Sequence, residues 1–207
     1  MTLAIYGVGG FAREITPLAR AAGDVVFVSD APDEIDTIVN GLRVHAFEDL
    51  DRLAEVQVVI AVADARIRRR LAAKCEAAGF KIGNVSARSH DRGEGVHVQP
   101  GGIFCGFSTC TANSVIGHHF QCNLYSYVAH DCVVGDYVTL APRVCINGNT
   151  IIEDDVYIGT GAILKQGTPE EPLRIGRGAI IGMGAVVTKN VEPGVTVIGS
   201  PARPLVR

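Results

Sequence analysis

The chain has 207 residues, of which 47% are hydrophobic and 20% charged, which is an ordinary globular composition. Its formal net charge of −3 argues against binding to nucleic acid or to a membrane surface by electrostatic attraction. No run of about 18 apolar residues occurs, so no membrane-spanning helix is expected. The first residues lack the basic and apolar segments of a secretion signal, so the expected location is the cytoplasm, with reduced cysteines.

Residues 1–84 are predicted to form a small α/β domain. The segment LAIYGVGGFAREITPLARAAG predicts a strand, a glycine-rich turn and a helix, because a continuous apolar run changes to helical spacing. VVFVSDAPDE predicts a second strand that ends at Asp30, and VQVVIAVADARIRRRLAAKCEAAGF predicts a third strand followed by a helix. Alternating strands and helices favour a parallel, Rossmann-like sheet with right-handed crossovers.

The first strand-to-helix turn, Gly7-Val8-Gly9-Gly10, is a candidate phosphate site, since backbone amides and the helix N-terminus can receive an anion there. Asp30 ends the next strand, about where an acid binds ribose in a dinucleotide fold. The glycines depart from G-x-G-x-x-G because Phe11-Ala12 follow them, and residues 1–84 are too few for both halves of a dinucleotide fold. The turn therefore favours a mononucleotide or nucleotide-sugar phosphate over NAD, with a purely structural turn as the alternative.

Residues 85–207 contain a six-residue repeat. Twelve consecutive positions six residues apart, from Val98 to Leu164, are all apolar, and the period resumes at Ile175, Ile181 and Val187. A mostly small or β-branched residue follows four positions after each. This hexapeptide pattern predicts a parallel β-helix, in which each hexad supplies one short strand and three hexads make an 18-residue coil. The apolar residue of each hexad is expected to point inward.

Two local features interrupt or punctuate the repeat. Glycine directly follows several inward residues, as in Ile116-Gly117 and Val134-Gly135, and we expect these glycines to turn the corners of the coil. The segment KQGTPEEPLR, residues 165–174, contains two prolines and two acids that cannot continue the strand ladder. It is predicted to be a loop extruded from the β-helix.

The pair His130-Asp131 is the leading catalytic candidate. His130 follows the inward residue Val128 by two positions, so it should lie on the outer surface near a corner. Positions 18 apart stack on successive coils, which places Gly148 directly above His130. An imidazole beside a carboxylate can act as a general base, and a glycine amide can polarise a thioester carbonyl. From the residues alone, a solvated surface histidine remains an equal alternative.

A zinc site at the histidines is not expected. His118 and His119 lie twelve and eleven residues before His130, which is two hexads away and on a different face. The sequence also contains no C-x-x-C pair. A polar corner is the simpler interpretation of His118 and His119.

Four segments together resemble one enzyme family: IYGVGGFAREI, VVIAVADARIRRRL, NLYSYVAHDCVVGDYVTLAPRVCINGN and IIGMGAVVTKNVEPGVTVIGSPAR. The chain resembles the nucleotide-sugar acyltransferases, which include bacillosamine-type and perosamine-type amino-sugar N-acetyltransferases and related sialic-acid O-acetyltransferases. The resemblance implies a Rossmann-like N-terminal domain at 1–84 and a left-handed β-helix at 85–207. It also implies a homotrimer with active sites at subunit interfaces, acetyl-CoA as co-substrate, and no metal.

The resemblance also implies roles for individual residues. His130 would be the base, Asp131 its orienting acid, and the Gly148 amide the group facing the acetyl carbonyl, with Asn123 contacting the sugar. The CoA path would be lined by Thr139, Gly148, Thr160, Gly161 and Met183. The nucleotide pocket would be lined by Gly9, Gly10, Phe11, Asp30, Ala63 and Asp64. Three positions depart from some relatives: Asp131 replaces Glu, Thr139 replaces a second histidine, and Phe11 replaces His.

The expected function is acetyl transfer from acetyl-CoA to the C4 amine of a nucleotide-linked 4-amino-4,6-dideoxy sugar of perosamine or bacillosamine type. His130 would remove a proton as the amine attacks the thioester directly, and positioning would supply much of the acceleration. O-acetylation of a sugar hydroxyl, including that of sialic acid, is the nearest alternative. A non-catalytic nucleotide-binding scaffold is the alternative from another class. The nucleobase, the sugar stereochemistry and the pathway are left open.

Overall fold

The computed structural model describes residues 1–21 and 23–205, and the chain divides into two compact units, Met1–Ser86 and Ala87–Arg207. Residues 206 and 207, the end of the predicted second domain, lie outside the described residues. Within the described ranges, no helix is both long and apolar enough to cross a membrane.

The first unit is built on a six-stranded sheet with the order β3-β4-β2-β1-β5-β6. All neighbouring strands are parallel except the hairpin β3–β4. The strands are β1 (Thr2–Tyr6), β2 (Asp24–Ser29), β3 (Ile38–Val39), β4 (Leu42–Ala46), β5 (Val56–Ile60) and β6 (Lys81–Ile82), and β7 (Val85–Ser86) ends the unit. The helices are α1 (Gly10–Arg20), the 3₁₀ helix Phe47–Arg52 and α2 (Ala65–Ala77).

The predicted parallel sheet is confirmed, and its central strand shows why the sequence forms it. Four successive β1 residues, Leu3 to Tyr6, are almost completely buried, as expected for a parallel strand covered on both faces. The β3–β4 hairpin was not predicted. Its turn is Asn40-Gly41, and both residues have positive φ, 49° and 75°, which is the signature of a tight hairpin turn.

The second unit is a left-handed parallel β-helix with three sheets. Up to β20 (Ile163–Leu164), strands that pair in one sheet are 18 residues apart, as in Val115↔Val133, so three strands form one coil. The strands are β8 (Asp91–Arg92), β9 (His97–Val98), β10 (Ile103–Phe104), β11 (Thr109–Cys110), β12 (Val115–Ile116), β13 (Gln121–Cys122), β14 (Tyr127–Val128), β15 (Val133–Val134), β16 (Thr139–Leu140), β17 (Cys145–Ile146), β18 (Thr150–Ile152), β19 (Tyr157–Ile158), β20 (Ile163–Leu164), β21 (Leu173–Ile175), β22 (Ile180–Ile181), β23 (Val186–Val187), β24 (Thr196–Ile198) and β25 (Arg203–Pro204).

The predicted inward residues form the core of the β-helix. From Phe104 to Leu164 every sixth residue is at most 2% exposed, and Ile175, Ile181 and Val187 continue the column. The residues four positions later, such as Ser126 and Thr150, are buried as well. Each hexad therefore contributes two buried side chains. A chain that is 47% hydrophobic supplies enough apolar residues to fill the interior of the β-helix in this way.

The corners are not formed by the predicted glycines, and that prediction is wrong. The left-handed backbone lies three residues after most inward residues, at positions such as Phe107, Asn113 and Asp131, with φ between 48° and 57°. Gly117, by contrast, is needed because a Cβ there would lie 2.5 Å from the backbone of Gly135 on the next coil. Glycine after an inward residue thus permits close stacking of coils, and the turn itself comes two residues later.

Three columns of corner residues result, and each is named here by one residue. The His130 edge follows strands β11, β14, β17 and β20. The His118 edge follows β12, β15, β18 and β21. The Thr160 edge follows β10, β13, β16, β19 and β22. The predicted loop leaves the His130 edge after β20, and it lengthens the pairing interval from 18 to 23 residues, as in Thr150↔Leu173.

Candidate active site

His130 and Asp131 form a hydrogen-bonded pair at a corner of the His130 edge. His130 Nδ1 lies 2.7 Å from Asp131 Oδ2, and the two side chains are 46% and 50% exposed. Because a carboxylate only accepts hydrogen bonds, Nδ1 donates this bond, which selects the neutral tautomer with its lone pair on Nε2. Asp131 is also the left-handed corner residue, with φ 57°, so the turn that ends the strand also presents the carboxylate to the imidazole.

Gly148 lies over the His130 ring, as the 18-residue spacing predicted. A Cβ at Gly148 would be 2.5 Å from His130 Cε1 and 2.6 Å from Nε2, so only glycine leaves the imidazole in its place. No group in the described part of the chain accepts a hydrogen bond from the Gly148 N–H. The column therefore combines a base with an adjacent, buried backbone N–H that has no acceptor among the described residues.

The peptide that carries this N–H is held on its other side. The carbonyl of Asn147 accepts hydrogen bonds from Thr150 Oγ1, at 2.7 Å, and from the Cys132 thiol, at 3.4 Å. The Asn147 side chain accepts from the Tyr127 hydroxyl, at 2.6 Å, and donates to the Leu164 carbonyl, at 2.8 Å. Burial, followed by the neighbouring Cys145, raises the pKa of Tyr127, so its hydroxyl remains a donor.

The extruded loop begins beside the same column. Gly167 N donates to the Gly148 carbonyl at 3.0 Å, and Leu173 N donates to the Asn149 carbonyl at 3.1 Å, so both ends of the loop are fastened to this coil. An open cleft of about 440 Å³ lies between the loop and the next coil. Lys165 and Lys189 contribute cationic groups to this cleft, and Glu171 contributes an anionic one.

The residues predicted for the CoA path lie on another edge or inside the protein. Thr160 and Gly161 belong to the Thr160 edge, and Met183, which is 82% exposed, lies one coil above Thr160 by the register of β19 and β22. Thr139 is only 3% exposed, and its hydroxyl lies 3.4 Å from Gln121 Oε1. The structure therefore brings Gly148 together with His130, and it places the other four elsewhere.

Asn123 is also separated from His130 within one chain. It follows β13 on the Thr160 edge, is 9% exposed, and donates from Nδ2 to the Leu140 carbonyl at 2.8 Å. An equivalent hydrogen bond joins Asn147 to the Leu164 carbonyl. An asparagine directly after an inward residue thus connects one coil to the next. The predicted sugar contact of Asn123 stays a prediction.

The predicted nucleotide residues share one edge of the first unit's sheet. Gly9, Gly10 and Phe11 follow β1, Asp30 follows β2, and Ala63 and Asp64 follow β5, and these three strands are adjacent and parallel. Their carboxyl ends consequently meet at one edge, which is where ligands bind in open α/β sheets.

The glycine turn leaves the start of α1 open. Gly9 is the N-cap residue of α1, and no side chain caps that helix end. A Cβ at Gly9 or Gly10 would meet no atom within 4 Å, so space is available beside the helix N-terminus. That arrangement fits a phosphate group, which the amides at a helix start favour.

Asp30 is held by two residues that the sequence did not indicate. Its Oδ1 accepts from the Tyr6 hydroxyl at 2.6 Å and from Lys74 Nζ at 2.7 Å. Burial raises the pKa of Asp30, but the hydrogen bonds from Lys74 and Tyr6 outweigh it and hold the pKa below its ordinary value. Asp30 is therefore an ionised acceptor. Lys74 lies nine residues into α2, and no local motif marks it.

Asp64 has a structural task of its own. It is the N-cap of α2, and its carboxylate accepts from the amides of Arg66, at 2.9 Å, and Ile67, at 3.1 Å. The fully buried Arg68 donates to the carbonyls of Val62 and Ala63 and so fixes the turn between β5 and α2. The hydrogen bonds from Ile67 and Arg66 account for the lowered pKa of Asp64, against the opposing effect of partial burial.

His118 and His119 do not form a metal site with their surroundings. Residues 1–21 and 23–205 contain no group of three or more His, Cys, Asp or Glu side chains that could hold a metal ion. His119 is 1% exposed and stacks on Tyr137, with ring centroids 4.9 Å apart. His118 faces Asp136 on the next coil.

Comparison with known proteins matches the whole chain. A family model described as the PglD N-terminal domain matches residues 2–75. The chain is 40% identical to the GDP-perosamine N-acetyltransferase of Escherichia coli O157:H7, over 98% of this chain and 96% of that protein. WeeI from Acinetobacter baumannii AYE is a similar solved structure, with a TM-score of 0.94 at 42% identity over 99% of this chain and all of WeeI. PerB from Caulobacter crescentus, solved in complex with CoA and GDP-perosamine, has a TM-score of 0.89 at 27% identity, over 100% of this chain and 98% of PerB.

Proposed function

Because the chain belongs to the nucleotide-sugar N-acetyltransferase family that includes GDP-perosamine N-acetyltransferase, we propose that it acetylates the C4 amine of a nucleotide-linked 4-amino-4,6-dideoxy sugar, with GDP-perosamine as the first substrate to test. Acetyl-CoA is the acetyl donor. The observation that carries the chemistry is the His130–Asp131 pair directly beneath Gly148.

The reaction needs one base and one oxyanion donor. The neutral sugar amine attacks the thioester carbonyl carbon, and its nitrogen loses a proton to His130 Nε2. The negative charge that forms on the acetyl oxygen is stabilised by the Gly148 N–H, which acts in a fixed position. Collapse of the tetrahedral intermediate breaks the C–S bond and releases CoA thiolate, which takes up a proton. The products are the N-acetyl sugar and CoA, without a covalent enzyme intermediate.

Asp131 contributes by holding the imidazole. Its hydrogen bond with Nδ1 selects the tautomer in which Nε2 can accept, and it stabilises the imidazolium that forms when the amine proton arrives. Because Asp131 sits in the left-handed corner conformation, its carboxylate is positioned by the fold before any ligand binds. This pre-organisation lowers the cost of reaching the reactive geometry.

The first unit would hold the nucleotide. The open N-terminus of α1 at Gly9 and Gly10 suits a diphosphate, and the ionised Asp30 suits a ribose hydroxyl. Lys74 and Tyr6 both bind Oδ1 of Asp30, which leaves Oδ2 as the acceptor for a ligand. Phe11, Ala63 and the Asp64 cap lie at the same sheet edge and would border the nucleoside.

We also propose that the acetyl-transfer site is completed by a second copy of the chain. Thr160, Gly161 and Met183 lie on a different edge of the β-helix from His130 and Gly148. Acetyl-CoA that contacts both sets is accommodated most directly between two subunits of a homotrimer. Light scattering would then give about three times the chain mass of 21.9 kDa. A monomer that is fully active would contradict this arrangement.

The substrate is tested by measuring CoA release and identifying the product by mass spectrometry. The purified chain is supplied with acetyl-CoA and, in parallel, GDP-, UDP- and dTDP-linked 4-amino sugars, the corresponding 4-hydroxy sugars, and free sialic acid. We expect the highest kcat/KM with a nucleotide-linked 4-amino sugar and a product heavier by one acetyl group.

Two results would reject the proposal. Faster turnover of a hydroxyl acceptor than of every amino sugar would assign the chain to O-acetylation. Absence of CoA release with all acceptors, together with calorimetric evidence that acetyl-CoA does not bind, would favour a nucleotide-binding scaffold.

A further inference from the structure

The peptide between the half-buried Asn147 and the buried Gly148 is held by hydrogen bonds from several directions. A trans peptide is planar, and its C=O and N–H point in opposite directions. The Asn147 carbonyl accepts from the buried groups Thr150 Oγ1 and Cys132 Sγ. Because the carbonyl is directed toward these groups, the Gly148 N–H on the other side of the plane is directed away from them.

The side chain of Asn147 fixes the same peptide from a second direction. Its Oδ1 accepts from the Tyr127 hydroxyl on the preceding coil, and its Nδ2 donates to the Leu164 carbonyl on the following coil. Asn147 is therefore tied to the coils on both sides. Gly148 itself has no side chain with which to hold its orientation, so its neighbours must supply it.

The corresponding asparagine on the Thr160 edge has fewer ties. Asn123 also donates from Nδ2 to a carbonyl of the next coil, Leu140, but within residues 1–21 and 23–205 no tyrosine donates to its side chain. Tyr127 begins the two-residue strand that leads to His130, so one hydroxyl connects the strand before the base with the residue before the oxyanion donor.

We propose that Tyr127, Asn147 and Thr150 are positioning residues that aim the Gly148 N–H at the acetyl carbonyl of acetyl-CoA. This inference rests on the proposed function, in which Gly148 stabilises the oxyanion. The three residues act through the 147–148 peptide and do not touch the reacting atoms. Their contribution belongs to the transition state, where the acetyl oxygen carries its largest charge.

The test uses two conservative variants, Tyr127→Phe and Thr150→Val, each of which removes one hydroxyl with little change in shape. Since loss of a whole oxyanion donor costs about 10² to 10³ in kcat, misdirecting it should lower kcat about 10-fold. The KM values for acetyl-CoA and for the amino sugar should stay within about 2-fold, because the bond to the uncharged carbonyl is much weaker than the bond to the oxyanion.

Matched controls remove equivalent hydroxyls elsewhere in the β-helix. Tyr157 occupies the same strand position as Tyr127 but in another sheet. Ser108 donates to the carbonyl three residues before it, Cys105, just as Thr150 donates to Asn147. Tyr157→Phe and Ser108→Ala should keep the wild-type kcat, and thermal unfolding should show that all four variants are folded.

A spectroscopic measurement distinguishes a changed orientation of the Gly148 N–H from a general loss of rigidity in the β-helix. The ketone analogue of acetyl-CoA, with CH₂ in place of sulfur and ¹³C at the carbonyl, reports hydrogen bonding through its infrared stretch. Binding to the wild type should lower the frequency, and Tyr127→Phe and Thr150→Val should reverse part of that shift while the controls do not.

The possible outcomes distinguish failure of this inference from failure of the proposed function. Wild-type kcat and ketone frequency in both variants, or equal losses in variants and controls, would overturn the positioning role. If the wild type acetylates an amino sugar and His130→Asn is impaired while Tyr127→Phe and Thr150→Val are not, only this inference fails. If no acceptor supports CoA release, the proposed function fails first.

Discussion

Two edges of the same β-helix carry a histidine and an aspartate in contact, yet their surroundings differ. His130 and His118 both lie two residues after an inward residue, and both side chains are 46% exposed. His130 meets the carboxylate of its own corner, Asp131, whereas His118 meets Asp136 on the next coil. Exposure and the presence of a carboxylate therefore do not distinguish a base from a surface histidine.

The residue stacked on the ring makes the difference. Gly148 packs directly against the His130 imidazole and brings no side chain to it. Asp136 lies over His118, and its Oδ1 also accepts from the His118 backbone amide at 2.7 Å. The backbone N–H of Asp136 in turn donates to Asp154 Oδ1. Asp154 Oδ2 forms an ion pair with Arg177, with an N–O distance of 3.0 Å. The His118 edge is thus a ladder of polar bonds between coils, while on the His130 edge a glycine backbone packs against the ring.

The largest expected effect comes from replacing the two histidines by asparagine. His130→Asn removes the base and should lower kcat/KM about 10² to 10⁴-fold, the usual contribution of general base catalysis. His118→Asn should stay within about 2-fold of the wild type, because it removes only one bond of a surface ladder. Steady-state CoA release measures both, and equal losses would show that the two edges do not differ in function.

Adding a side chain at Gly148 should be nearly as damaging. Gly148→Ala places a methyl group where the imidazole lies and should lower kcat about 10²-fold by displacing both base and amide. Gly106 occupies the same hexad position on the Thr160 edge, and the nearest atom to its Cβ would be Ser89 Oγ at 3.3 Å. Gly106→Ala is therefore the control, and full activity of Gly148→Ala would remove the steric basis of the comparison.

A smaller effect should separate the two aspartates. Asp131→Asn keeps the left-handed corner, which asparagine tolerates, but loses the charge that holds the His130 imidazolium. We expect kcat to fall about 10-fold, in the range of one charge-assisted hydrogen bond. Asp136→Asn should leave kcat unchanged and lower the free energy of unfolding by about 1 kcal/mol. A kinetic loss in Asp136→Asn, measured beside its denaturation curve, would contradict the assignment.

The smallest effect concerns a third histidine of the β-helix. Burial lowers the pKa of His90 from its ordinary value of 6.5, and Nδ1 lies 2.9 Å from Ser108 Oγ. The unfolded chain therefore binds this proton more readily, so the stability from neutral His90 is present above pH 6.5 and is lost as pH falls through the lowered pKa. The slope is at most about 1.4 kcal/mol per pH unit.

Denaturation of the wild type and of His90→Gln between pH 5 and pH 8 checks this sign. As the pH falls below 6.5, the free energy of unfolding of the variant should decrease less than that of the wild type. An unchanged profile would assign the acid sensitivity to other groups.

Much of the fold follows from periodicity. The six-residue spacing predicted the inward column and placed Gly148 over His130, since parallel coils of 18 residues repeat the same geometry. Strand–helix alternation likewise predicted a parallel sheet, and the structure places Gly9, Asp30 and Asp64 after three of its adjacent strands. The corner residues were assigned wrongly, because glycine here serves coil stacking, and residues such as Asp131 adopt the left-handed conformation instead.

The sequence by itself thus determined the two architectures and the stacking of a glycine on a histidine, because both depend on regular spacing along the chain. Only the tertiary structure decided which groups surround each candidate. The ties of Asn147 to Tyr127 and Leu164, and of Asp30 to Tyr6 and Lys74, join residues that no local pattern relates. Hydrogen bonds depend on tenths of an ångström between side chains, and spacing in sequence does not specify distances of that size.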